Sequence, residues 1–166
     1  MATVQDPAGA TFSLWEPRTV GRLLTDVPGS LTWAELVVDE PSSVADFYHN
    51  LLHLNARTIA LEDRRYRVLC VDDVPVSGVV RSAVKAHWRI YFSVSDLSAT
   101  LSRAESIGGK VLSPPSATIP GTTALIRDPH GAIVGLMEAD HGRGANSRHA
   151  VSEVDDNAGY PTSLRL

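Results

Sequence analysis

The same order of structural signals occurs twice in this chain. "SLTWAELVV" alternates as a strand with two unlike faces does, and "DEPSSVADFYHNLLHL" follows it. In that second piece Val44, Phe47, Tyr48, Leu51 and Leu52 recur at helical spacing and give one apolar face. Pro41 sits near its first turn, with Ser42 and Ser43 as capping residues. "ARTIAL", "YRVLCV" and "VPVSGVVR" then read as three strands, the last two joined by a turn at Asp72 and Asp73. The pattern restarts with the strand "HWRIYFSVSD" and the helix "LSATLSRAESIGG", which Gly108 and Gly109 end. "KVLSPP", "TTALIRD" and "AIVGLMEA" supply three more strands.

Glu40 and Asp96 open the two helices, an offset of 56 residues. At that offset Trp33 falls on Arg89, Glu35 on Tyr91, Leu36 on Phe92 and Val38 on Val94. One apolar phase agrees while the other differs, which predicts two βαβββ modules, over residues 29–86 and 87–140. The competing explanation is two unrelated amphipathic strand and helix pairs in some other α+β fold.

A second repeat crosses the first. "DPAGATFSLWEP" near the amino terminus resembles "DPHGAIVGLMEA" near the other end, at an offset of 122 residues. Residues 1–28 therefore read as an orphan closing strand with a linker, "EPRTVGRLLTDVPGS". Strand edges seek partners, so "ATFSLW" is expected to pair with its own sheet or with a second protomer, and a homodimer is expected. Residues 141–166 lose the periodicity and read as a flexible polar tail or a docked arm anchored by Tyr160, Leu164 and Leu166.

Hydrophobic residues make up 43% and charged residues 20%, close to the globular norm, and no apolar run has the length of a membrane span. A net charge of −4 with 15 scattered Lys and Arg residues is not the footprint of a nucleic-acid binder, so small molecules or other proteins are the expected partners. "MATVQDPAG" has neither the basic nor the apolar region of a secretory signal, and the single Cys70 has no intrachain disulfide partner. A cytoplasmic location is expected.

"WAELVVDEPSSVADFY", "HWRIYFSVSDLSATLSRAESIGGKVLSPP" and "DPHGAIVGLMEA" together resemble the vicinal oxygen chelate superfamily, which includes glyoxalases, bleomycin-resistance proteins and extradiol dioxygenases. The resemblance covers roughly residues 29 to 140, and the chain resembles the second two-module unit of a tandem glyoxalase-like protein. It implies an α+β fold in which two paired βαβββ modules form a cup-shaped mixed sheet around a small molecule. Relatives commonly hold a divalent metal there, through one side chain from the first and one from the last strand of each module. The corresponding positions here are Trp33, Arg89 and Gly135, and the strand from Val74 onward has no carboxylate or His up to Ala86. An indole, a guanidinium and a glycine are not cation ligands, so neither a metal nor another cofactor is expected. Of the six His residues, His49 and His53 fit a helix surface and His141 and His149 lie in the tail. His87 and His130 border the expected cup, His130 as an exposed turn residue.

Alternation would turn Trp33, Glu35 and Val37 inward from one module, and His87, Arg89, Tyr91 and Ser93 from the other. Glu35 is the most telling, because a carboxylate within an apolar strand costs free energy unless paired, and such a group is suited to general acid or base work. Arg89 would hold a substrate oxyanion, Tyr91 would donate or accept a proton, and His87 would act at the rim. Trp33 offers a wall for stacking, and Val37, Ser93, Gly135 and Met137 would complete the substrate site. Structural alternatives stand beside these roles. Glu35 and Arg89 would also serve as an ion pair, Tyr91 and Trp33 as core, and Cys70 as a small buried hydrophobe.

Two function classes fit. One is a metal-independent enzyme of secondary metabolism that moves protons in dehydration, cyclisation or epimerisation of an aromatic or polyketide-like molecule. The other is a binding protein that sequesters an antibiotic without chemistry. A metal-dependent glyoxalase-like lyase or dioxygenase is the third, weaker option.

Overall fold

A computed structural model describes residues 1–16, 24–25, 27–61 and 64–139. The expected tail with Tyr160, Leu164 and Leu166, both of its histidines and most of the linker lie outside the described residues. The chain divides into two compact units. Of the described residues, one gathers the amino-terminal segment and Ala34–Trp88, and the other gathers the turn leading into Trp33 and residues 89–139.

In the first unit a short hairpin, β1 (Ala2–Gln5) and β2 (Thr11–Leu14), forms a two-stranded antiparallel sheet of its own. β3 (Leu31–Val38) leads to α1 (Ser42–Leu52), and β4 (Asn55–Leu61), β5 (Arg64–Val71) and β6 (Val74–Arg81) follow. Their order across the sheet is β4-β5-β6-β3, with β3 parallel to β6 and the other pairs antiparallel. Asp72 and Asp73 both have positive φ, 44° and 69°, the geometry of a tight two-residue hairpin turn. The predicted phase holds: Leu36, Val38, Leu69 and Val79 pack with Val44 and Tyr48 of α1 in one buried cluster.

Two details of α1 differ from the sequence expectation. The cap is Pro41, and Ser42 and Ser43 lie inside the first turn, where their hydroxyls donate back to Glu40, to Oε1 at 2.8 Å and to the carbonyl at 2.7 Å. Leu51 is exposed, because the helix buries Val44 and Tyr48 and turns Leu51 away.

The second unit repeats the plan with β7 (His87–Val94), α2 (Leu97–Ser106), β8 (Lys110–Ala117), β9 (Thr122–Arg127) and β10 (Ile133–Glu138). The order is β7-β10-β9-β8, with β10 parallel to β7. Asp96 caps α2, its carboxylate accepting from the Ala99 amide at 2.8 Å. Leu97, Leu101, Ala124 and Leu136 form its core with Phe92 and Val94 packed against them. Among the described residues no helix is long and apolar enough to cross a membrane.

Within the chain the orphan strand does not join the sheet of its unit. β2 pairs with β1, a strand too short and too weakly patterned to be read in "MATVQ", and the hairpin packs on α1. Ala10 is fully buried, and the rings of Phe12, Phe47 and Trp88 surround Tyr48 at centroid distances of 5.6, 5.2 and 5.6 Å. Asp6 fixes the dock. Its Oδ1 accepts from the Ala10 amide and its Oδ2 from the Tyr48 phenol, both at 2.8 Å, and the Trp88 indole donates to the same phenol oxygen at 3.1 Å.

Candidate functional site

Glu35 lies on the face of β3 opposite the helix and is only 7% exposed. Its Oε1 accepts a hydrogen bond from the Tyr66 phenol at 2.7 Å. Tyr66 stands on β5, two strands away in the sheet, and reaches Glu35 across β6. The intervening residue is Gly78, which pairs directly with Glu35. A Cβ at Gly78 would overlap the Tyr66 phenol oxygen, so only glycine lets the ring lie flat across the strand.

The second unit has the same vacancy at the matching place. Gly135 on β10 pairs with Tyr91 on β7, and a Cβ there would overlap the Tyr91 ring. Glu35 and Tyr91 thus hold equivalent positions on first strands, each beside a glycine of a closing strand. In one module a neighbouring strand's phenol fills the space and meets a carboxylate. In the other the first strand's own aromatic ring fills it, and Tyr91 is 4% exposed.

The remaining predicted site residues are distributed as follows. Val37 is fully buried, and Trp33 is half-buried on the same strand. Ser93 is buried, with its backbone N–H donating to Ser30 at 2.9 Å and its carbonyl accepting from Gly29 at 2.8 Å. Met137 is buried, and its thioether lies against the open face of Gly121. Arg89 is half-buried on β7. His87 has its Nδ1 2.8 Å from the Lys85 carbonyl and lines a cavity of about 420 Å³ with Gln5, Gly9, Thr11, Lys85, Ala86 and Trp88, beside the hairpin. His130 is exposed, in the turn before β10. Cys70 is buried, and burial pushes its thiol above the ordinary range.

A metal does not fit these residues. The closing-strand positions that would supply a carboxylate are glycines whose space tyrosine rings occupy, and Trp33 and Arg89 offer no lone pair suited to a cation. Among the described residues, no three His, Cys, Asp or Glu side chains gather in a group that would hold an ion.

A model of the glyoxalase-like domain matches residues 35–136, from Glu35 itself to the core of β10. The chain belongs to the glyoxalase-like domain family. Within the vicinal oxygen chelate superfamily, this glyoxalase-like protein is 39% identical over 147 residues to the anthracycline biosynthesis protein DnrV of Streptomyces peucetius, covering 86% of this chain and 54% of that one. It is 35% identical over 145 residues to the putative glyoxylase CFP32 of Mycobacterium bovis, covering 83% of this chain and 55% of that one. The chain therefore spans about half the length of the curated relatives it matches. Among solved structures, a hypothetical protein from Bacillus halodurans matches with a TM-score of 0.52 at 12% identity, covering 69% of this chain and 97% of that one. Methylmalonyl-CoA epimerase of Streptomyces coelicolor matches with a TM-score of 0.50 at 16% identity, with the same coverage. At such identities the likeness is one of glyoxalase-like fold.

Tyr66 is the site residue that sequence reasoning missed. The usable signal was Gly78, an isolated glycine inside an apolar strand, which marks a place where another group approaches the backbone closely.

Proposed function

We propose that this glyoxalase-like protein catalyses metal-independent proton transfer on a small aromatic metabolite of a biosynthetic route, with Glu35 and Tyr66 as the catalytic pair. The observation that carries the proposal is the 2.7 Å bond from the Tyr66 phenol to the Glu35 carboxylate, on the strand face turned from the helix. The anthracycline biosynthesis relative supports the class of molecule.

In a dehydration, the Glu35 carboxylate takes a proton from carbon beside a substrate carbonyl, and the Tyr66 phenol gives its proton to the departing hydroxide, which leaves as water. The carboxylic acid then returns its proton to the phenolate along their existing bond, and both groups regain their starting states. Epimerisation uses the same pair with proton return to carbon. The phenol role assigned to Tyr91 thus passes to Tyr66, while Tyr91 serves as a packed wall over Gly135.

The test uses an anthracycline aglycone as probe in deuterium oxide, with mass spectrometry for isotope uptake or water loss and tryptophan quenching for binding. The wild type should turn the probe over, and Glu35→Gln and Tyr66→Phe should lower the rate by about 10²-fold or more with little change in affinity. Unchanged turnover in Glu35→Gln would sink the mechanism. Tight binding by the wild type without isotope uptake would instead favour sequestration.

A further inference from the structure

The turn of the amino-terminal hairpin repeats the hydrogen bonds of the closing hairpin's turn in the second unit. Asp6 accepts from the amides of Gly9 and Ala10, and Asp128 accepts from those of Gly131 and Ala132 in the same pattern. Gly9 and Gly131 both take positive φ, 96° and 98°, which the turn requires. β1 and β2 fall on the ends of β9 and β10 at the offset of 122 residues.

The two hairpins differ in what lies beside them. β10 pairs along its outer edge with β7, and β9 pairs along its outer edge with β8. Among the described residues β1 and β2 pair only with each other, so both outer edges lack a strand. Met137 on β10 is 8% exposed, whereas its counterpart Trp15 is 52% exposed. Glu138 accepts from the Leu97 amide at the start of α2 at 3.2 Å, whereas its counterpart Glu16 is exposed. The first hairpin therefore leaves exposed two side chains, Trp15 and Glu16, whose counterparts in the second are engaged within a module.

We propose that the β1–β2 hairpin is a docking surface for another glyoxalase-like module, one without a closing hairpin of its own. The module's first strand pairs in parallel with β2, its strand of the β8 type pairs with β1, Trp15 enters its core, and Glu16 meets the first turn of its helix. A second copy of this chain does not fit, because its β7 and β8 already hold its own β10 and β9. About half of each curated relative lies outside the match, which leaves room for such a module.

The experiment mixes the full chain with a separately expressed polypeptide, the part of the Streptomyces peucetius relative that lies outside the match. The expected result is a one-to-one complex by light scattering, a blue shift of tryptophan emission, and hydrogen-exchange protection of β1 and β2. Trp15→Ser should weaken the complex about tenfold or more while the free chain keeps its melting temperature. Absence of a complex at micromolar concentrations overturns the proposal. So does a complex that leaves the hairpin amides unprotected and is indifferent to Trp15→Ser. Self-association of the chain alone, abolished by Trp15→Ser, would assign the surface to a second copy and overturn it as well.

Discussion

The phenol of Tyr48 donates to Oδ2 of Asp6 at 2.8 Å across 42 residues of sequence. Both residues are buried, and burial first and the Asp6 carboxylate second hold the Tyr48 hydroxyl well above its usual range. Tyr48→Phe keeps the ring contacts and strands one carboxylate oxygen without its donor. It should destabilise the protein by about 1–3 kcal/mol in urea unfolding. Asp6→Ala should cost a similar amount, and the double variant should cost clearly less than the two together. Simple additivity would show that the bond contributes nothing.

The glycines of the closing strands give a second expectation. Gly135→Ala pushes a methyl group into the Tyr91 ring and should destabilise the fold by about 1–3 kcal/mol, with partial recovery when Tyr91 is reduced to Leu. Gly78→Ala should displace Tyr66 from Glu35 and reproduce the kinetic defect of Tyr66→Phe. A Gly78→Ala protein with wild-type turnover would separate the pair from the chemistry.

Ser77 lies on the helix-facing side of β6, 5% exposed, and its buried hydroxyl has no hydrogen-bond partner among the described residues. An unsatisfied buried hydroxyl opposes folding. Ser77→Ala should therefore raise the thermal midpoint, by an amount equivalent to about 1 kcal/mol. A lower midpoint would mean that the hydroxyl is satisfied in solution.

Burial of Cys70 makes stability depend on alkaline pH. The folded state holds the thiol proton more tightly than the unfolded state does, so this contribution is complete below the ordinary thiol value of about 8.5 and is lost as pH rises toward the folded value. Urea midpoints should fall between about pH 7 and about pH 10, and Cys70→Ala should flatten the thiol part of that fall. Native protein should resist iodoacetamide at neutral pH and react once unfolded. Rapid labelling of the native thiol would contradict its burial.

The modules were legible because their strands and helices carry strong periodicities, and Leu36, Val38, Phe92 and Val94 lie under the helices as their phase required. The choice of Glu35 followed from one fact visible in the chain, a carboxylate where the pattern asked for an apolar residue. Its partner was not visible, since Tyr66 reaches it across a strand whose register no local pattern records. β1 was missed because four residues offer too little alternation, and its place follows from Asp6 and Ala10 contacting α1. The Ser42 and Ser43 assignment failed because Glu40 draws both hydroxyls back to itself and leaves the cap position to Pro41.

The paired glycines also give the molecule an internal control. Gly78 and Gly135 leave room for a ring at matching register positions of two related modules, and the chain sets an acid beside a phenol at one and a phenol alone at the other. Chemistry lodged at Glu35 should therefore be portable. Glu placed at position 91, with a tyrosine set on the strand that faces it, would ask whether the scaffold or the pair is the scarce ingredient, and both halves of that comparison fold within a single polypeptide.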